Sequence, residues 1–140
     1  MFKAVQEGKL NVFLTAPNAD TNAGTLVKLG PSGSVVVCNA GDEPYGVLAQ
    51  DVRSRSVNNF KLDSVTHLAF YGEKVGVYFQ GGQYYTDNIA GGSFAEGAKL
   101  YVGANGQFTA TAPGTGFTGN VAIAETAGSG NTKTRISFVK

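Results

Sequence analysis

The chain has 140 residues, 15% of them charged, with 20 glycines, a single cysteine, a single histidine and a formal net charge of +1. That size supports one domain with a core of its own, without disulfides or a metal to staple it. A charge near zero offers no basic field for nucleic acid, and one cysteine excludes an internal disulfide framework. No run approaches the roughly 20 apolar residues of a membrane-spanning helix, and Met1 to Glu7 lacks the apolar stretch of a signal peptide.

Apolar and polar residues alternate with period two along most of the chain, which predicts strands. In chain order these are Lys9 to Leu14, Thr25 to Leu29, Ser34 to Cys38, Tyr45 to Val52 and Val65 to Tyr71, then Lys74 to Phe79, Lys99 to Val102, Gln107 to Thr111, Asn120 to Glu125 and Lys133 to Val139. Helix is scarce: one turn at Ser93 to Glu96 ended by Gly97, and a weaker one at Asp20 to Ala23. Residues 53–63 read as an excursion between halves, residues 126–132 as a flexible hairpin tip, and residues 1–7 as a terminal arm.

The chain also echoes itself. Gly24 to Cys38 lies over Gly97 to Thr111 without a gap, each residue 73 positions from its counterpart, so that Gly24, Gly30 and Gly33 fall on Gly97, Gly103 and Gly106. Gly30-Pro-Ser-Gly33 and Gly103-Ala-Asn-Gly106 then read as equivalent hairpin turns, with Pro31 suited to the first central position. Lys9 to Leu14 and Lys74 to Phe79 read as a second echo, Leu10, Val12 and Leu14 sharing the core phase of Val75, Val77 and Phe79. The expected fold is all-β: a small antiparallel barrel or β-tulip-like domain with an internal two-fold pseudo-repeat, halves at about 9–52 and 74–139, and very little helix.

Chemistry is sparse. His67 has no second imidazole or thiolate to make a ligand set, and Cys38 lacks an orienting partner and an oxyanion site, so it reads as a small apolar filler opposite Thr111. The glycine turns carry no Lys-Ser/Thr pair and precede no helix, unlike phosphate loops. No catalytic residue, cofactor or metal is expected. The aromatics in or beside apparent loops, Phe2, Phe60, Phe94, Phe117 and the Tyr84-Tyr85 pair, either plug the ends of a small barrel or make protein contacts. Arg53 and Arg55 suit contacts too.

The order of elements resembles the tailed-bacteriophage capsid decoration (head cement, head-stabilising) proteins. A Gly-x-Leu-Val-x-Leu run and glycine turn lead to Gly41-Asp-Glu-Pro-Tyr-Gly-Val47, then Gly72-Glu-Lys-Val-Gly-Val77. A second unit follows, with Gly97-Ala-Lys-Leu-Tyr-Val102 and Gly119-Asn-Val-Ala-Ile-Ala124. The likeness spans residues 24–139; the insertion at 53–63 and the N-terminal strand depart from it. It implies a non-enzymatic virion protein on the outer surface of the expanded capsid, assembled in the bacterial host cytoplasm. Its partners would be the major capsid protein and itself, as a homotrimer or alternatively a dimer, with no nucleic acid or membrane. Met1, Phe2, Lys3, Arg53, Arg55, Phe60, Tyr84, Tyr85 and Phe94 are the expected contact residues, and deleting the arm is expected to weaken capsid binding without disturbing the fold. Another virion β protein, tail-tube or fibre associated, and a carbohydrate-binding module stand as the alternatives.

Overall fold

A computed structural model describes residues 2–54 and 68–140. Fifteen strands run through these residues. They are β1 (Phe2–Gln6), β2 (Lys9–Thr15), β3 (Leu26–Leu29), β4 (Val35–Val37), β5 (Gly46–Leu48), β6 (Asp51–Arg53), β7 (Leu68–Phe70) and β8 (Lys74–Gln80). Then come β9 (Gln83–Thr86), β10 (Ser93–Phe94), β11 (Lys99–Val102), β12 (Phe108–Thr109), β13 (Ala122–Ala124), β14 (Gly128–Ser129) and β15 (Thr134–Phe138). The all-β reading holds. The only helical pieces among the described residues are single 3-10 turns at Pro31–Gly33 and Ala104–Gly106.

The strands form a six-stranded sheet ordered β1-β9-β15-β13-β11-β12 and a five-stranded sheet ordered β2-β8-β5-β3-β4, all ladders antiparallel. A short parallel β6-β7 pair and a β10-β14 pair accompany them. Because side chains alternate across a strand, the five-stranded sheet serves two cores. Leu26, Val47 and Tyr78 face a cluster shared with Leu100, Phe108, Ile136 and Phe138 of the six-stranded sheet. Their neighbours Val27, Leu48 and Val77 turn the other way, into a cluster with Val52 and Ala69 of the parallel pair. The near-continuous apolar runs in these strands, such as Gly46-Val-Leu48, follow from burial on both faces.

The 73-residue echo is a geometric repeat. Leu29 pairs with Val35 and Lys28 with Val36, and their counterparts Val102 and Tyr101 pair with Phe108 and Thr109 in the same register. Ser32 and Asn105 both stand at φ 57°, and Gly33 and Gly106 at 73° and 71°. Two successive positive φ values make these type I′-like turns, in which Ser32-Gly33 and Asn105-Gly106 are the central pairs. Pro31 therefore precedes the central pair, one position earlier than expected, and its carbonyl accepts the Ser34 N–H at 3.2 Å.

The second echo misleads. Lys9 to Leu14 and Lys74 to Phe79 are adjacent strands, β2 and β8, bonded to each other in one sheet. Sheet order makes β9 the counterpart of β2, and β15 the counterpart of β8. Neighbouring strands share an alternation because they share a core, and short apolar runs carry no label saying which relation holds.

Other expectations change for local reasons. Tyr45 to Val52 breaks at Ala49-Gln50: Gln50 turns its side-chain oxygen to the Gly76 N–H at 2.8 Å, and the chain leaves the sheet to pair β6 with β7. Ser93-Phe94 is strand, not a helical turn, and it pairs with Gly128-Ser129, inside the segment read as a flexible tip. Asp20 to Ala23 forms no helix either; Thr21 bridges to Val52. The arm is β1, an edge strand on β9 with Phe2 opposite Thr86. His67, residues 65–67 of the expected strand and residues 55–63 of the excursion lie outside the described residues.

Candidate functional surface

Strand β2 is where the alternation fails most visibly. Leu10 and Val12 are 47% and 46% exposed, whereas Leu14, in the same phase, is buried. The cause is a bulge. Asn11 pairs with Val77 and Leu14 with Val75, so three steps along β2 match two along β8, and the parity of the strand flips between them. The surplus residue is held locally: the Asn11 side-chain oxygen accepts the Phe13 N–H at 2.9 Å, and the Lys74 ammonium donates to the Phe13 carbonyl at 2.9 Å. Phe13 is left 77% exposed. Asn11 is fixed in turn by donating its amide to the Tyr45 hydroxyl at 2.9 Å.

Leu10, Val12 and Phe13 are thus all exposed on β2, an edge strand of the five-stranded sheet. Single exposed apolar residues need no explanation, but three within four positions on one edge strand do. The occupied N–H and carbonyl of Phe13 blunt the edge against strand addition, leaving side chains as the means of contact. Sequence reading assigned Leu10 and Val12 to the core and passed over Phe13. The signal available was Asn11, a residue that favours local backbone bonding over a regular ladder.

The expected contact residues scatter. Tyr84 is fully buried; its hydroxyl accepts the Gly8 N–H at 3.1 Å and donates to the Gly81 carbonyl at 3.0 Å. Phe2 stacks on Tyr84 with ring centroids 5.1 Å apart and tilts against Tyr78 at 6.4 Å, closing the core. Phe94 is buried in the shared core. Tyr84 and Phe94 are corrected from contact to core residues, because the strand ladder through 83–86 and the β10-β14 pair turn their rings inward, while Phe2 on β1 is half-buried and packs against that core. Tyr85, half-buried, lies under the Lys133 ammonium at 4.6 Å, and Lys3 is exposed opposite it. Arg53 is occupied by the chain itself, donating to the Thr21 and Val52 carbonyls and to the Asn22 side-chain oxygen. Met1, Arg55 and Phe60 lie outside the described residues.

Cys38 is fully buried, and burial, reinforced by the nearby Asp42 charge, pushes its thiol up to about 12, so it stays protonated. Its backbone matters more: the Cys38 carbonyl accepts the Gly106 N–H at 2.7 Å, docking the second hairpin turn onto the first repeat. Among the described residues no group of three or more His, Cys, Asp or Glu side chains is placed to hold a metal. No helix among them is long and apolar enough to cross a membrane.

With this geometry in view, the chain is similar in fold to the N base of the head fibre protein gp8.5 of bacteriophage phi29. The match has a TM-score of 0.55 and 14% identity, and it covers 99% of this chain and 94% of that one. At that identity the likeness concerns the fold. No family model and no curated protein matches the sequence.

Proposed function

We propose that this chain is a structural, non-enzymatic protein of a phage virion, bound to the outside of the expanded head and clamping neighbouring major capsid proteins against the pressure of packaged DNA. The observation that carries the reading is the near end-to-end fold likeness to a phage head fibre base. One further point supports it: the order of elements in the sequence, which resembles that of capsid decoration proteins.

The clamp acts through contacts available only in the expanded lattice. We assign the bulged β2 edge, with Phe13 at its centre, to the shell-facing surface, since a large exposed ring that contributes little to the core is suited to an interface. A homotrimer engaging several capsid subunits gains from effective concentration, so each contact can be weak.

The test mixes purified protein with expanded and unexpanded capsids that lack it. The expected outcome is co-sedimentation with expanded capsids only, reduced by Phe13→Ser. Equal failure to bind either form defeats the proposal. A second reading, the base of a head fibre, is favoured by the description of the matched structure as an N base. A reconstruction separates the two: a clamp bridges neighbouring capsid subunits, whereas a fibre base sits as a foot beneath a projecting shaft.

A further inference from the structure

The two large sheets differ in how many faces they bury. The five-stranded sheet packs on both sides, whereas the six-stranded sheet turns Tyr84, Leu100, Ala122 and Ile136 into the one core it shares. Buried and part-exposed residues alternate strictly along β9, β11, β13 and β15. The residues between the core positions therefore stand on a second face, where every residue of these four strands keeps some solvent exposure.

Strand register lays this face out in rows. One row runs Lys3, Tyr85, Arg135, and Glu125 extends it, its N–H donating to the Arg135 carbonyl at 2.7 Å. The next runs Gln83, Ser137, Ile123, Lys99. Tyr101, two residues beyond Lys99, stands opposite Thr109. Lys133 reaches over the Tyr85 ring, 4.6 Å from its centroid. Lys3, Lys99, Lys133 and Arg135 thus share the face with one carboxylate, and that carboxylate is neutralised within it: Glu125 Oε1 lies 3.0 Å from Arg135 Nε, and Oε2 accepts the Ser137 hydroxyl. Asp87, one residue past β9, already has a partner. Among the described residues Lys3, Lys99 and Lys133 make no ion pair.

We propose that this face docks a carboxylate-rich segment of another protein. The chain as a whole is nearly neutral, so three ammonium groups without a carboxylate partner concentrate positive charge on one side. Tyrosines among them add contact area at little cost in side-chain freedom. A second copy meeting this face with its own would bring the same cations and be repelled. The rings disfavour single-stranded nucleic acid. Tyr85 is capped by Lys133, and three strand spacings, about 14 Å, separate Tyr85 from Tyr101, too far to hold successive stacked bases. Carboxylates need no open ring; they need ammonium donors, which lysine presents on a flexible stem. This surface is independent of the head-surface reading and of the β2 edge.

The experiment titrates the full-length, isotope-labelled protein with hexaglutamate, and in separate arms with hexaglutamine and a short oligothymidylate, following backbone amides by NMR. Hexaglutamate is expected to give saturable shifts centred on Tyr85, Lys99, Tyr101 and Ile123, weakening as salt rises from about 20 mM to about 200 mM and the screening length shortens. Lys99→Gln and Lys133→Gln together are expected to weaken binding about threefold to tenfold. Lys74→Gln, which removes the same charge from the five-stranded sheet, is expected to leave it unchanged. Glu125→Gln frees Arg135 and removes the opposing charge, and is expected to tighten binding about twofold or more, a gain that unfolding cannot produce. No shifts with hexaglutamate, shifts centred elsewhere, equal shifts with hexaglutamine, unchanged affinity in the double variant, no gain in Glu125→Gln, or tighter binding of oligothymidylate would each overturn the proposal.

Discussion

Replacing Gly33 and Gly106 separately by alanine compares one backbone conformation in two surroundings. Both glycines occupy the left-handed region, at φ 73° and 71°, so the conformational penalty is the same. It amounts to about 1–2 kcal/mol for a residue with a Cβ, offset by about 0.4–1 kcal/mol from the stiffer unfolded chain. A Cβ at Gly33 meets nothing within 4 Å. At Gly106 it would stand 2.8 Å from the Leu26 carbonyl oxygen and closer still to Thr25 Cγ2, so backbone has to give way. Relieving that clash pulls on the Gly106 N–H bond to Cys38 and on the Gly106 carbonyl held by Asn88. Overpacking of this kind costs about 1–3 kcal/mol beyond the shared strain. Gly33→Ala is therefore expected to cost under about 1.5 kcal/mol, and Gly106→Ala about 2 kcal/mol more, a further fall in Tm of roughly 7 °C for a domain of this size. Urea unfolding followed by the fluorescence of the six tyrosines, with no tryptophan to interfere, measures both. Equal losses at the two positions would mean that the second turn does not dock on the first repeat.

Removing residues 1–7 is expected to destabilise the fold, because β1 pairs with β9 and Phe2 covers Tyr84; Phe2→Ala alone should cost about 2 kcal/mol in urea unfolding. An unchanged urea midpoint after the deletion would restore the view of this segment as a free arm. Cys38 is expected to resist a disulfide-exchange reagent at pH 8 and to label only as the protein unfolds, given its burial and a thiol pushed up to about 12; rapid labelling in native buffer would contradict this. The Asn39 N–H and the Lys28 ammonium, each bonded to Asp42, hold its carboxyl below the ordinary range. A lowered folded pKa gives stability that is present above the unfolded value near 4 and lost as pH falls through the folded one. Asp42→Asn should therefore lower stability above about pH 4, by under about 1 kcal/mol for so exposed a pair, and converge with the parent chain in stronger acid. A constant difference across that range would assign the effect to something other than charge.

Turn chemistry and alternation were legible because both are local. Glycine and asparagine at fixed offsets dictate a left-handed pair wherever the chain lies, and Gly24 to Cys38 accordingly matches Gly97 to Thr111 down to pairing register. Lys99 to Val102 reads correctly to the residue because its phase is undisturbed. The contact residues were less legible. Tyr84 and Phe94 sit among glycines and polar residues, where local pattern suggests a loop, yet each enters a strand whose partner lies far along the chain.

From residues alone came the β class, the near absence of helix and the paired hairpins, since these depend on period-two alternation and on which residues tolerate positive φ. Folding in three dimensions settled which strands are neighbours and which are counterparts. It put β2 beside β8, brought β1 onto β9, and let one bulge at Asn11 turn Phe13 outward. A cleft lined by Phe2, Ala49, Gln50, Asn88 and Asn131, too, gathers residues that lie far apart along the chain. Strand pairing and cavity formation depend on contacts between distant segments, and the apolar pattern that drives a strand into a core is the same whichever neighbour it finds there.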